Sequence, residues 1–177
     1  MRRLLLLRHG KADRHSAGGD RERPLIRRGE DDARRVGQFL ATEGMTPDLA
    51  VASNARRAKQ TLERVLEAFP AHVTHLIENT IYLATPEHLL DILRQTPDKV
   101  ETLLAVGHNP GFADLANRLS GSGPAEALAQ MRSSFPTAAL AVLEFEGEDW
   151  AHVRRGAARL RNFVTPASLR GGADDPD

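Results

Sequence analysis

The chain has 177 residues, 41% of them apolar and 27% charged, which is an ordinary balance for one globular domain. Its 24 Lys and Arg residues equal its 24 Asp and Glu residues, so no overall charge attracts nucleic acid or an acidic membrane surface. The absence of cysteine excludes disulfides, thiolate metal sites and cysteine nucleophiles, and it agrees with a reducing cytoplasm.

The first seven residues resemble the start of a signal peptide, but the likeness ends there. Two arginines precede the apolar run 4–7, but this run is shorter than the roughly 7–15 residues of a signal peptide, and Arg8 ends it. No segment approaches the roughly 18 apolar residues of a membrane span. We therefore expect a soluble, cytoplasmic protein that has neither a membrane nor a nucleic acid as its partner.

In the first half of the chain, short apolar runs alternate with helical patterns. Residues 4–7 predict a buried strand, and residues 49–52 predict a second one. Between them, residues 29–43 predict a helix because their apolar residues recur at the spacing of one helical face. A second helix follows the second strand. Its apolar face consists of Ala58, Leu62, Val65, Leu66 and Phe69.

The second half continues the same alternation. Thr85 and Pro86 supply an N-cap and a first-turn proline for one helix, and Asn109-Pro110 precedes another. The segment 150–163 fits a strand or a helix, and we favour a strand. Further strands are predicted at residues 72–77, 102–106 and 138–145.

Strands separated by helices predict a mostly parallel sheet with helices on both faces, which is a three-layer α/β/α sandwich. We expect one domain over residues 1–166. Residues 167–177 are rich in Gly, Asp and Pro, and we expect them to form a flexible C-terminal tail.

Three segments with unusual residues follow predicted strands. Arg8-His9-Gly10 follows the first strand, residues 53–57 follow the second, and residues 107–111 (Gly-His-Asn-Pro-Gly) follow the fourth. Ligands bind beyond the carboxyl ends of the strands in an open parallel sheet. We therefore expect the three segments to lie close together at one edge of the sheet, although they are far apart in the chain.

The residue types in these segments suit phosphoryl chemistry. Two of the segments begin helices, whose free N–H groups attract a phosphate. Arg8 and Arg57 can each donate two parallel hydrogen bonds to its oxygens. A neutral imidazole is an available nucleophile at pH 7. One of the two imidazoles, His9 or His108, can therefore attack phosphorus, and the other can stay protonated to stabilise the transferring group.

Together these segments resemble the motifs of the histidine phosphatase superfamily. The resemblance rests on Arg8-His9-Gly10, on Ser-x-x-x-Arg-Ala-x-Gln-Thr at residues 53–61, and on Gly-His-Asn-Pro-Gly at residues 107–111. Within the superfamily, the short chain is similar to bacterial phosphohistidine phosphatases of the SixA type. Arg23-Pro24-Leu25 followed by Gly29 resembles a stretch of that group as well.

The resemblance implies a phosphoglycerate mutase-like fold and a phosphatase that uses no cofactor and no metal. It implies that His9 accepts the phosphoryl group and that water then hydrolyses this phosphohistidine intermediate. Arg8, Arg57 and His108 would bind the phosphoryl oxygens. Arg57 takes this role rather than Arg56, because Arg57 directly precedes Ala-x-Gln-Thr.

Other positions differ from the family or match it only loosely. Asn54 stands where proline is common, and Ile26 stands where threonine is usual; both are interpreted as changes in loop detail. Larger relatives use a carboxylate after the third strand as the general acid, and Glu78 is the nearest candidate here. Phosphohistidine has a good leaving group, so a strong acid is not required. Phe135-Pro136-Thr137 before a strand also fits the SixA group.

We expect the substrate to be phosphohistidine in a protein, such as a phosphotransfer domain, because larger relatives cap their pocket around small metabolites and this chain has little room for a cap. A small phosphomonoester is the first alternative. A non-catalytic phosphoprotein-binding module is the second, although binding alone requires no nucleophile. Metal-dependent hydrolysis would need a ligand set that is missing from the sequence.

The remaining charged and histidine residues have simpler interpretations. A spacing of three along a strand places His72 and His75 on opposite faces, which argues against a metal pair. His15, His88 and His152 are expected at the surface. Residues 10–28, here called the basic loop, either guide an acidic protein partner or are simply solvated. The cations of the basic loop that suggest this role are Arg14, Arg21, Arg23, Arg27 and Arg28.

Overall fold

A central sheet of seven strands organises the computed structural model, which describes residues 1–171. The strands are β1 (Arg2–Arg8), β2 (Leu49–Ala52), β3 (His75–Ile77), β4 (Thr102–Gly107), β5 (Ser120–Ser122), β6 (Leu140–Phe145) and β7 (Ala158–Val164). Their order across the sheet is β3-β2-β4-β1-β6-β7-β5. Within this sheet only β6 runs against its neighbours, so the mostly parallel arrangement predicted from the sequence is confirmed.

Helices cover both faces of the sheet. They are α1 (Arg27–Thr42), α2 (Arg56–Leu66), α3 (Pro86–Arg94), α4 (Gly111–Leu119), α5 (Ala125–Ser133) and α6 (Pro166–Arg170). On one face, α1 and α2 pack over the core that contains Leu5 and Leu7; on the other, α3, α4 and α5 pack over the core that contains Leu4 and Leu6. Because alternate residues of β1 point to opposite faces, the leucine run at 4–7 supplies both cores.

Several predicted elements change their bounds in the structure. The third strand is shorter than the predicted 72–77, and the strand predicted at 138–145 begins only at Leu140, because Ala138 has a positive φ of 58°. In the segment 150–163, a turn region precedes β7, and Trp150 is fully buried. The elements β5 and α5 were not predicted.

The start of the predicted tail is helical. Thr165 accepts a hydrogen bond from the backbone N–H of Ser168, and the Ser168 hydroxyl accepts one from the N–H of Thr165, so a capping box begins α6. Ala167 is buried. The first residues of the segment 167–177 are therefore part of the packed domain, and residues 172–177 lie outside the described residues.

The described helices are all too short to cross a membrane. The longest, α1, has 16 residues, whereas a transmembrane helix needs about 20 apolar residues.

Candidate active site

The three segments singled out in the sequence meet at one edge of the sheet. Strand β4 lies between β1 and β2, and all three run in the same direction. The backbone N–H of His9 donates to the carbonyl of Gly107 at 3.0 Å, and that of Ser53 donates to the carbonyl of Val106 at 3.0 Å. Parallel pairing therefore brings His9, Ser53 and Gly107, which are far apart in the chain, into one site.

His9 is held as a neutral imidazole with a defined tautomer. Its side chain is buried, and Nδ1 lies 2.7 Å from the carbonyl oxygen of Gly10. A carbonyl only accepts hydrogen bonds, so Nδ1 carries the proton and Nε2 keeps its lone pair. Burial lowers the pKa of His9 to about 3, and the nearby charges of His108, Arg8 and Arg57 act in the same direction. The Nε2 atom is therefore available as a nucleophile at pH 7.

His108 lies beside His9, with ring centroids 5.2 Å apart. Its Nδ1 lies 3.4 Å from Nη2 of Arg57, a group that can only donate, so Nδ1 is unprotonated. The Nε2–H group donates to the hydroxyl of Ser53 at 2.7 Å. Burial lowers the pKa of His108 to about 4, and the positive charge of Arg57 contributes. Burial beside Arg57 thus favours the neutral form of His108, and its role as a protonated group stays a prediction.

Arg57 is only 2% exposed and lies in the first turn of α2. Its guanidinium binds Asp20 twice: Nη1 donates to the backbone carbonyl at 2.7 Å, and Nη2 donates to Oδ2 at 3.0 Å. Arg56, its neighbour in the chain, is exposed. The register argument that separated Arg57 from Arg56 therefore selects the buried residue of the two, which lies beside His108.

Arg8 is half-buried at the end of β1, and its Nη1 donates to the carbonyl of Phe135 at 3.1 Å. The Asn109 side chain donates to the same carbonyl at 2.8 Å. The N–H of Ala138 donates to the carbonyl of His9 at 2.9 Å. The segment before β6 therefore positions both Arg8 and the His9 backbone.

The remaining motif residues hold the segments together. The Thr61 hydroxyl accepts a hydrogen bond from the N–H of Gly10 at 2.9 Å and donates to the carbonyl of Arg57 at 2.7 Å. Gln60 accepts one from the N–H of Leu25 at 2.8 Å. At Gly29 a Cβ atom would lie 2.1 Å from the carbonyl oxygen of Lys11, so a side chain there would collide with the backbone of the basic loop.

Sequence reasoning missed two residues of the site, Asp20 and Tyr82. The Tyr82 hydroxyl donates to Oδ2 of Asp20, and its ring stands edge-on to His108 with centroids 5.4 Å apart. The Tyr82 hydrogen bond holds the pKa of Asp20 well below its usual range, and Arg57 and Arg23 contribute in the same direction. The available signal was weak: Asp20 is one of three carboxylates within the basic loop, and Tyr82 is the single tyrosine of the chain.

Glu78 does not join this group. Its carboxylate accepts hydrogen bonds from the N–H and hydroxyl of Thr80, at 3.3 and 2.9 Å, and caps a short turn after β3. It lines a groove of about 460 Å³ together with Leu76 and His88. Its role as a general acid stays a prediction, and its observed contacts are structural.

The other histidines lie at the surface. His15, His72, His75, His88 and His152 are all exposed. The rings of His72 and His75 lie 5.9 Å apart, so the expectation that they point to opposite faces is wrong, because His72 precedes the shortened strand. Within residues 1–171, no group of three or more His, Cys, Asp and Glu side chains could hold a metal ion.

The stability of the protein is expected to fall as the pH is lowered from about 7 to 5. The pKa values of His9 and His108, about 3 and 4, lie below the ordinary value of 6.5. In this window the unfolded chain binds protons that the folded protein does not, so protonation favours unfolding. Urea unfolding at the two pH values measures the effect.

The variant His9→Gln removes one of the two groups, so its loss of stability between pH 7 and 5 should be smaller than that of the wild type. The matched control is His88→Gln, at an exposed position, which should keep the wild-type difference. An undiminished pH dependence in His9→Gln would contradict the assignment of His9 as a buried neutral group.

Comparisons with known proteins agree with this geometry. A family model described as histidine phosphatase superfamily (branch 1) matches residues 4–78. An uncharacterized protein of Mycobacterium tuberculosis is 35% identical over 90% of this chain and 99% of its own length.

Two solved structures are similar over nearly the whole chain. Both are of candidate phosphohistidine phosphatases named SixA. The one from Nakamurella multipartitia is 28% identical, with a TM-score of 0.81 over 93% of this chain and 96% of that one. The one from Agrobacterium tumefaciens is 29% identical, with a TM-score of 0.78 over 93% and 98%. These matches confirm the predicted phosphoglycerate mutase-like sandwich.

Proposed function

Because the chain belongs to the histidine phosphatase superfamily, we propose that it is a phosphatase that hydrolyses phosphohistidine in a protein and uses His9 as its nucleophile. One observation carries the proposal. The buried, neutral His9 keeps its proton on Nδ1 through Gly10, which leaves Nε2 free beside His108 and two guanidinium groups. Such a nucleophile needs no deprotonation before it attacks phosphorus.

The reaction has two displacements at phosphorus. Nε2 of His9 donates its lone pair to form an N–P bond, and the N–P bond of the substrate breaks, with its electron pair returning to the leaving imidazole nitrogen, which takes up a proton. Water then attacks phosphorylated His9, which releases inorganic phosphate and a proton and restores the lone pair. Arg8 and Arg57 neutralise charge on the equatorial oxygens in both steps, which is the main form of catalysis in phosphoryl transfer.

The contribution of His108 to phosphoryl transfer depends on its protonation state, which its surroundings determine. Burial and the positive charge of Arg57 lower its pKa and favour the neutral ring. A phosphoryl group of two negative charges next to the ring favours the imidazolium, so we infer that His108 takes up a proton when substrate binds. The protonated ring then donates to a phosphoryl oxygen, and the two arginines supply the remaining positive charge, with no metal ion.

The short connections of the described sheet and the similar structures support the proposed substrate. The two similar structures carry the name phosphohistidine phosphatase. In this chain, short connections follow β2 and β4, and no inserted domain covers the carboxyl edge of the described sheet. A phosphorylated side chain that projects from a protein, such as a cytoplasmic phosphotransfer domain, fits this arrangement.

The test compares kcat/KM for a histidine-phosphorylated phosphotransfer domain with kcat/KM for p-nitrophenyl phosphate, both in the presence of EDTA. The proposal predicts a higher value for the phosphohistidine protein and no effect of the chelator. Faster turnover of the phosphomonoester would favour a small-molecule phosphatase. Binding without turnover would indicate a phosphoprotein-binding module, and loss of activity in EDTA would indicate a metal-dependent reaction.

A further inference from the structure

Asp20 lies where a substrate anion would be expected. It is held between Arg57, Arg23 and Tyr82, and it belongs to the basic loop rather than to any of the three motif segments. From this placement we propose that Asp20 is an internal anion that occupies the phosphoryl-binding edge of Arg57, and that a phosphoryl group enters the site by displacing it. This inference rests on the proposed function of the same site.

The first argument is that both terminal nitrogens of the Arg57 guanidinium donate to Asp20. An arginine binds a phosphate or carboxylate most strongly when two nitrogens of its fork donate in parallel. In Arg57, Nη1 and Nη2 form this pair, and both donate to Asp20, at 2.7 and 3.0 Å. Nη2 also lies 3.4 Å from His108 Nδ1. While Asp20 is in place, this edge of Arg57 cannot bind two phosphoryl oxygens.

The second argument is the position of Asp20 between the reacting groups and the solvent. His9, Arg57 and His108 are 7%, 2% and 4% exposed. The Asp20 side chain is 48% exposed. Tyr82, which donates to Asp20, also covers one edge of the His108 ring. Asp20 and Tyr82 thus form the outer layer of a site whose inner groups are nearly sealed, and a substrate has to pass this layer.

The third argument is that the segment bearing Asp20 is weakly anchored. The short turn Asp20–Glu22 buries none of its residues, and Gly18 and Gly19 precede it. Gly19 has a φ of 92°, a conformation that suits glycine. The guanidinium of Arg21, in the same turn, lies 4.3 Å from the Tyr82 ring centroid. Displacing such a segment costs little buried apolar area.

The exchange has a chemical consequence. A phosphoryl group carries more charge than a carboxylate and offers three oxygens, so it competes successfully for a site lined by Arg8 and Arg57. When Asp20 leaves, the Tyr82 hydroxyl loses its acceptor and becomes a donor at the edge of the pocket. The internal carboxylate then returns after hydrolysis and opposes retention of the phosphate product.

The experiment measures the dissociation constant of inorganic phosphate by calorimetry at pH 7 for the wild type, Asp20→Asn and Tyr82→Phe. Only molecules in which Asp20 has left Arg57 can bind phosphate at this edge. The apparent affinity for phosphate is therefore lowered in proportion to the fraction of molecules in that state. We expect Asp20→Asn to bind phosphate tighter by on the order of 10-fold, and Tyr82→Phe to shift in the same direction by less. The matched control is Glu22→Gln, which removes an exposed carboxylate from the same turn and should change little.

A second readout separates displacement from the simple removal of a negative charge. In the wild-type protein, amide hydrogen exchange in residues 13–23 should become faster when phosphate binds, because the turn is released. Unchanged or slower exchange there would overturn the proposal, and so would phosphate binding that is equal or weaker in Asp20→Asn. The latter result would make Asp20 a positioning residue for Arg57. Absence of phosphate binding in every variant would overturn the proposed function as well.

Discussion

Replacing His9 with alanine is expected to abolish turnover and the phosphorylated enzyme while leaving the fold intact. The imidazole is the group in the site that can form the covalent intermediate, since its Nε2 lone pair is free and the pKa of His9 is lowered to about 3 by burial. Its backbone contacts, to Gly107 and Ala138, involve main-chain atoms and survive the substitution. When several residues catalyse one step together, removal of the nucleophile alone abolishes nearly all of the rate enhancement.

Rapid quench with a ³²P-labelled phosphohistidine protein is the measurement. The wild type should show an acid-labile phosphoenzyme that forms and decays within a turnover, and His9→Ala should show none. His88→Ala, at an exposed histidine, is the control and should label normally. Far-ultraviolet circular dichroism and thermal unfolding establish that the variant is folded. Wild-type turnover in folded His9→Ala would show that the nucleophile has been assigned wrongly.

The position of the site was predictable because one rule of sheet geometry determines it. Apolar runs at 4–7, 49–52 and 102–106 identify neighbouring parallel strands, and the polar segments that follow them must share an edge. Each run is short and apolar apart from Thr102, since both faces of the sheet are covered. The arrangement of Arg8, His9 and His108 therefore required no knowledge of side-chain packing.

The state of the site was less predictable, because protonation depends on burial rather than on residue type. The sequence shows a histidine in each of two motif segments and does not show that His108 is only 4% exposed beside Arg57. Asp20 and Tyr82 were missed for a related reason. They are 62 positions apart in the chain, and the path of the basic loop brings them together. Neither periodicity nor strand order encodes such a path.

Errors in the fold occurred where the apolar signal is weak. Helix α5 buries only Met131, so its sequence carries no clear helical face. Strand β5 has the sequence Ser-Gly-Ser and pairs at the edge of the sheet. At the opposite edge, all three residues of β3 are exposed, and the strand ends before Glu78, whose carboxylate caps the next turn. Edge elements depend on backbone pairing, which composition alone does not indicate.

Replacing Arg57 with alanine is expected to lower kcat/KM by on the order of 10²-fold or more, because removal of one preorganised donor to a developing oxyanion has an effect of this size. Arg57 is 2% exposed, so the field of its guanidinium acts on the phosphoryl group with little screening by water. Arg57→Lys should recover only part of the loss, since an ammonium group cannot donate two parallel hydrogen bonds.

Arg56→Ala is a matched control, because it removes the same side chain one position earlier in the same helix, where it is exposed. It should retain nearly wild-type kcat/KM. Any general loss of positive charge near the substrate would affect both variants, whereas direct binding of the phosphoryl oxygens affects only Arg57→Ala. Equal losses in the two variants would therefore mean that Arg57 acts at long range. A fall in thermal stability that matches the fall in activity would mean that its pairing with Asp20 serves the fold, and that the phosphoryl group is bound by other residues.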